Sequence, residues 1–413
     1  MVLKKIKKRL SIEDQENIIG YTFLLLVAVL PFAMILAPIA MVIFVLAVLW
    51  FRTRTGFWRL ERNQYFLPFY FYYLFAVFGL FYSFELGIEY RRIASQLPML
   101  LLPFCISLAQ INEKHLVQAK KVFVWSCFVF CIFGFLSLFY QFIVNHEHRF
   151  NYNFVQRSMH HFHYPYDALY INVAYVFLLT ETSLKKHRDW ISAAFLIFIF
   201  LSGVRMGIFT FLLISFIYFL SSYKTILTRA FFLKAFVVLA LAFIGINSSK
   251  YAKDKLFDTL SSVGLGTSDY VSDIGERYHQ ISLRTKMWES SVDLIKEKPI
   301  LGFGPNGSQS FLEEHYLKKG YVGLTGLNSH NQFLTTALNH GLIGLLLLLS
   351  IFFTVGYMVF RNRDIQGIWC IMVLFLSFLT ESVLVRQKGV FLFAIVISIF
   401  ALASSKKKIN QKD

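Results

Sequence analysis

The sequence predicts an all-α polytopic membrane protein of about twelve transmembrane helices with one large, partly helical outside loop. Three observations carry that prediction. Hydrophobic residues make up 56% of the 413-residue chain, with 47 Phe and a mean hydropathy of +0.56, which excludes an ordinary soluble domain. Apolar runs of about 17 residues or more recur along the whole length and are too long for barrel strands. One long polar interval, Ser248 to Asn331, interrupts them.

The elements follow in order. Residues 18–51 carry no charge and hold Pro31 and Pro38. As one helix they would span roughly 50 Å against a hydrocarbon core of about 30 Å, so they read as two crossings. Further apolar segments lie at 66–82, 97–110, 121–144, 165–181, 190–203, 204–220, 231–247, 331–357, 367–383 and 389–404. The run 190–220 holds a single charge, Arg205, between two basic flanks. It therefore reads as a hairpin with Ser202-Gly203 near the turn and Arg205 at its outer rim. Three parts result: 1–247 with nine crossings, the loop 248–330, and 331–413 with three crossings and a basic tail.

The net charge of +17 first suggests nucleic acid, but its distribution favours the positive-inside pattern. Lys4, Lys5, Lys7, Lys8 and Arg9 open the chain, and alternate loops carry Arg52/Arg54/Arg59/Arg62, Lys114/Lys120/Lys121, Lys185/Lys186/Arg188, Lys224/Arg229/Lys234 and Arg361/Arg363. The loop 248–330 is balanced, with ten basic and ten acidic residues, and falls on the opposite side. Both termini are thus expected in the cytoplasm. The N-terminal apolar region runs on for about 34 residues without a cleavage site, so it reads as membrane helices rather than a signal peptide. Cys105, Cys127, Cys131 and Cys370 all fall in apolar segments, which argues against disulfides and zinc.

The chemistry-bearing residues gather in the loop. Arg284–Lys298 reads as an amphipathic helix with Trp288, Val292 and Ile295 on one face, ended by Pro299 and the Gly302/Gly304 turn. Ser308–Lys319 reads as a second helix, with Ser310-x-x-Glu313 as a capping box and Gly320 as its stop. Asn328 or Ser329 then caps the next crossing, which puts His330 in its first turn. A helix N-terminus suits an anion and favours a neutral imidazole that can act as a base.

In order, Ser202-Gly-Val-Arg205, Arg284-x-x-Met-Trp288, Pro299-x-x-Gly302-x-Gly304 and His330-Asn331 resemble the O-antigen ligase and O-antigen polymerase superfamily of bacterial inner-membrane glycosyltransferases. His163-Tyr-Pro-Tyr166 looks like a variant of a His-Pro-Thr-Tyr motif in related sequences. Glu381-x-x-Leu-x-Arg386-Gln-x-Gly389 resembles the segment between the last two crossings. The large loop between the ninth and tenth crossings is similar to the ligase layout.

The resemblance implies transfer of a glycan from undecaprenyl pyrophosphate to an acceptor hydroxyl, most simply on lipid A–core, at the periplasmic face, with inversion and without metal or other cofactor. It implies His330 as base and Arg205 and Arg284 as the catalytic cations on the pyrophosphate. Asn331, His163, Tyr166, Gly302, Gly304, Glu381 and Arg386 would contact substrate. Alternatives stay open within the superfamily, namely a repeat-unit polymerase or a protein O-oligosaccharyltransferase. A lipid-linked glycan transporter or flippase is the rival of another class, though no internal repeat supports it.

Simpler roles stand beside these. Arg205 can snorkel, Arg284 can be a solvated charge, Gly302 and Gly304 can serve the turn alone, and Glu381 can pair with Arg386. His146, His148, His160, His161 and His163 crowd one outside loop, but their irregular spacing is no metal motif. Arg91 and Arg92 can meet lipid phosphates.

Overall fold

The computed structural model describes residues 12–32, 34–55, 60, 63–83, 90–109, 111–144, 159, 164–226 and 271–406. His163, the other four histidines of its loop, and the ninth expected crossing at 231–247 lie outside the described residues. Among the described residues, all regular secondary structure is helical.

The first helices are α1 (Ile12–Val29), α2 (Leu36–Thr55) and α3 (Asn63–Phe78). Pro31 falls in the turn between α1 and α2, and Pro38 falls in the first turn of α2, where a missing N–H is tolerated. Then come α4 (Tyr90–Gln96), α5 (Pro98–Ala109), α6 (Glu113–Val144), α7 (Tyr164–Thr180), α8 (Arg188–Ser202) and α9 (Arg205–Ile226). The loop supplies α10 (Val271–Glu297) and α11 (Gly304–Lys318), and the chain closes with α12 (Gln332–Arg361), α13 (Ile365–Thr380) and α14 (Gln387–Lys406). Every expected apolar segment within the described residues is therefore helical. Among the described residues, five spans are long and apolar enough to cross a membrane: Leu36–Thr55, Gln64–Phe81, Arg91–Ala109, Glu113–Val144 and Gln332–Arg361. Four more apolar helices are shorter.

Two helices form the centre. In α7 every residue from Tyr166 to Leu179 is buried, and in α14 the same holds from Lys388 to Leu402. A helix apolar on all sides needs neighbours on all sides. For α7 these include α6, α8, α9 and α13; α14 packs chiefly against α5 and α12. Close approach of α9 to α7 depends on Gly207, where a Cβ would stand 2.7 Å from Ala168 Cβ.

A second, smaller core lies in the loop. Met287, Leu294, Phe303, Leu312, Tyr316, Leu324 and Leu338 pack together, joining α10 and α11 to the start of α12. This corrects the face expected of α10. Trp288 and Val292 remain 37% and 39% exposed, and the buried stripe is Met287, Ser291 and Leu294, one residue earlier. Both stripes have helical spacing, and the position of α11 selects between them. The second loop helix also starts earlier than expected, at Gly304 with Pro305 just inside, so Ser310 is a mid-helix residue and not a cap.

Candidate active site

The site is built where α12 begins. Asn331 is its N-cap: Oδ1 accepts from the N–H groups of Phe333 at 2.9 Å and Leu334 at 3.2 Å. His330 thus lies one residue before the cap and not in the first turn. It adopts a left-handed conformation, φ 43°, unusual for a residue with a side chain. Local hydrogen bonds hold that turn. His330 N–H donates to Asn328 Oδ1 at 2.9 Å, Ser329 Oγ lies 2.6 Å from Thr335 Oγ1, and Trp288 Nε1 donates to Ser329 O at 2.9 Å. The indole that the sequence assigned to an apolar face therefore ties α10 to the residue before His330.

α12 is broken at Gly341, with φ 60° and ψ −161°, so a half-helix of 332–340 precedes the long apolar part. The segment 299–303 runs beside the break and replaces its lost partners. Phe303 N–H donates to Leu338 O at 2.8 Å, and Leu342 N–H donates to Pro299 O at 2.7 Å. A buried backbone group left unpaired costs about 1–3 kcal/mol, so these bonds make the break tolerable. Gly302, φ 69°, sits so close that a Cβ would lie 2.7 Å from Gly341 N and 2.8 Å from Asn339 C. Gly304, φ 82°, would place a Cβ 2.7 Å from Ser83 Oγ. Both glycines of the motif serve backbone packing here.

From the other side comes the link between α13 and α14. Glu381 Oε2 lies 3.2 Å from His330 Nδ1, with the two side chains 13% and 24% exposed. Glu381 Oε1 accepts from Ser382 N–H at 3.2 Å, so both oxygens are engaged by partners other than Arg386. Ser382 Oγ in turn donates to Asn328 Oδ1 at 3.2 Å and lies 2.8 Å from Thr335 Oγ1. Leu384 N–H donates to Gln332 Oε1 at 2.6 Å. Tyr166 is buried and donates its hydroxyl to Ser382 O at 3.1 Å, which fixes this link against α7. Arg386 is exposed beside it, within electrostatic reach of Tyr166.

The arginines stand on the Glu381 side. Arg205 is the first residue of α9, just past the left-handed Gly203, and is exposed. Arg284 on α10 lies within electrostatic reach of Glu381, Arg205 and Tyr164. Crowding by the surrounding protein lowers the Arg284 pKa; Glu381 opposes that shift, Arg205 reinforces it, and Tyr164 opposes it. A guanidinium remains charged under any such shift. Two like charges near one carboxylate leave uncompensated positive potential, which suits a polyanion.

Sequence reasoning missed the supporting polar residues Asn328 (as a side-chain anchor), Ser382, Thr335 and Gln332. It also missed a buried ion pair, Lys388 Nζ to Asp167 Oδ1 at 3.5 Å. A charge inside an apolar segment was the available signal for that pair.

The arrangement can do a definite kind of chemistry. A carboxylate against Nδ1 orients an imidazole and leaves Nε2 to exchange a proton, beside cations that can hold a leaving anion. Two comparisons show what the chain is similar to. A Haemophilus influenzae protein described as uncharacterized is 28% identical over 147 residues, 34% of this chain and 37% of that relative's length. The O-antigen ligase family model matches residues 190–349, which include Arg205, Arg284, both motif glycines, His330 and Asn331. Residues 190–349, less than half of the chain, are thus similar to the O-antigen ligase family.

Proposed function

We propose that this chain transfers a glycan from a lipid pyrophosphate to an acceptor hydroxyl at the outer face of a bacterial inner membrane, in a twelve-crossing layout with 248–330 outside. The observation that carries the reading is the His330–Glu381 pair at 3.2 Å beside Arg284 and Arg205.

Glu381 accepts a hydrogen bond from His330 Nδ1–H, and Nε2 takes the proton of the acceptor hydroxyl. The acceptor oxygen forms a bond to the anomeric carbon from the face opposite the phosphate. The carbon–oxygen bond to the pyrophosphate breaks, its electron pair leaves with the lipid pyrophosphate, and Arg205 and Arg284 stabilise the growing negative charge. Attack of this kind inverts the anomeric configuration. Because the lipid diphosphate is a good leaving group, the step calls for no covalent enzyme intermediate. Arg386 and His163 would contact the donor, and Tyr166, buried with its hydroxyl on Ser382 O, would hold the link that carries Glu381. Asn331, Gly302 and Gly304 would bound the site through backbone groups.

The acceptor we favour is lipid A–core, with undecaprenyl pyrophosphate as carrier. The test is transfer by purified protein supplied with a lipid-linked donor and, in separate arms, lipid A–core or a second lipid-linked glycan. Glycolipid product in the first arm, surviving EDTA, is expected. Product in the second arm alone would make the protein a polymerase. Failure of transfer in both arms would defeat the reading, and rescue by one divalent ion after chelation would defeat the metal-free mechanism.

A further inference from the structure

A cavity of about 180 Å³ lies against the 328–329 turn, and its lining residues do not include Arg284 or Arg205. Its polar walls are Ser308, Gln309 and Glu313 of α11 and Asn339 of the half-helix. Leu312 and Leu338 supply an apolar patch. Arg92 also borders it, with Nη1 donating to Pro305 O at 3.1 Å. The turn residues Asn328 and Ser329 close the side toward His330.

The chemistry of the walls selects the ligand. One guanidinium faced by one carboxylate leaves no net charge to attract a phosphate. Neutral amides and hydroxyls predominate, several of them bonded to one another (Ser308 Oγ to Asn339 Oδ1, Ser329 Oγ to Thr335 Oγ1), and such groups both donate and accept. A dense set of such groups beside a small apolar patch suits a ring with hydroxyls at its edge and C–H groups on its face. The carboxylate is already oriented: Gln309 Nε2 donates to Glu313 Oε1 at 3.1 Å and to Leu327 O at 3.2 Å.

We propose that this cavity is a subsite for one neutral pyranose of a bound glycan, next to the reacting centre and separate from the pyrophosphate cations. The proposal rests on the glycan-transfer reading. The sugar belongs either to the acceptor or to the donor chain, and the experiment separates these sources.

The direct test is saturation-transfer NMR on the full-length protein in nanodiscs, with methyl glucoside, methyl galactoside and N-acetylglucosamine as probes. At least one sugar should give a signal. Gln309→Trp, which fills the cavity from a half-buried position, should reduce that signal at least tenfold, as should Glu313→Leu, with unfolding temperatures close to the parent's. His330→Ala should keep it. In transfer assays Gln309→Trp should raise KM about tenfold for one substrate, with kcat within twofold. A rise for the acceptor assigns the subsite to the acceptor, and a rise for the donor assigns it to the donor. Absence of any sugar signal on the parent protein, or an undiminished signal in both variants, overturns the proposal. Lack of transfer by a parent protein that still binds sugar would instead count against the glycan-transfer reading alone.

Discussion

Two pairs of opposite charge-bearing groups hang from the same short stretch of chain, seven positions apart, and they differ in almost every other respect. Lys388 and Asp167 are 6% and 2% exposed. The ammonium also donates to Pro31 O at 3.2 Å and lies over the Phe130 and Tyr170 rings, 5.5 Å and 5.8 Å from their centroids. One lysine thereby joins the α1–α2 turn, α6, α7 and α14. Glu381 and His330 are 13% and 24% exposed, and one partner has a strained backbone. The first pair fastens the segment, while the second presents it. A buried pair bonded to its own core fixes the helices around it. A half-open pair braced by neighbours can pass a proton without moving.

The largest effect should come from breaking the fastener. Lys388→Ala leaves a carboxylate buried without its cation, which costs about 3–5 kcal/mol. Detergent-solubilised protein should melt far below the parent. The double variant Lys388→Met, Asp167→Leu should recover most of that loss, because an apolar pair of similar volume needs no compensation. Equal melting of the single variant and the parent would remove the anchoring role.

The presenting pair should behave in the opposite way. His330→Ala keeps a Cβ in the same left-handed turn and should melt near the parent, yet transfer should fall by about 10²-fold or more if the imidazole is the base. Glu381→Gln should lower kcat while the acceptor KM holds, because it alters the orientation of the imidazole. Normal transfer by His330→Ala would refute the base assignment.

Gly302→Ala tests whether the motif glycines act through backbone. It adds a Cβ against the Gly341 break at a positive φ, a strain of about 1–3 kcal/mol. Both melting temperature and transfer should drop together, and a loss of transfer at unchanged stability would point to substrate contact instead.

The smallest effect concerns the loop surface. Lys319 donates to Asp293 at 2.6 Å and lowers its pKa below the ordinary value of 3.8; Lys296 and His315 act in the same direction. A lowered carboxyl pKa adds stability above the unfolded value, and that stability is lost as pH falls through the folded one. The melting difference between parent and Asp293→Asn should therefore be small and constant near neutral pH and vanish well below pH 3.8. A difference that grows on acidification would reverse the sign of this argument.

Much of the molecule is legible before folding. Apolar length locates the helices, and prolines and Gly203 locate two turns, because each depends on local chemistry alone. Order and spacing of Arg205, Arg284 and His330 suffice to nominate them. The register of α10 is not legible: Trp288-Val292-Ile295 and Met287-Ser291-Leu294 are equally periodic, and only the packing of α11 chooses. Nor is the start of α12, since Asn328, Ser329 and Asn331 are all competent caps, and the bonds made by Trp288 and Ser382 decide which one serves.

Residue type and spacing are enough to make the chain apolar and helical, to locate its polar loop, and to supply residues ready for anion and proton chemistry. Tertiary structure alone decided that Glu381 meets His330 across 51 positions, that Gly302 seats a strand of backbone into a broken helix, and that Lys388 finds Asp167 in the core. These are contacts between distant segments. Their free energy depends on desolvation and on distances of a few ångströms, and neither quantity exists until the helices have packed.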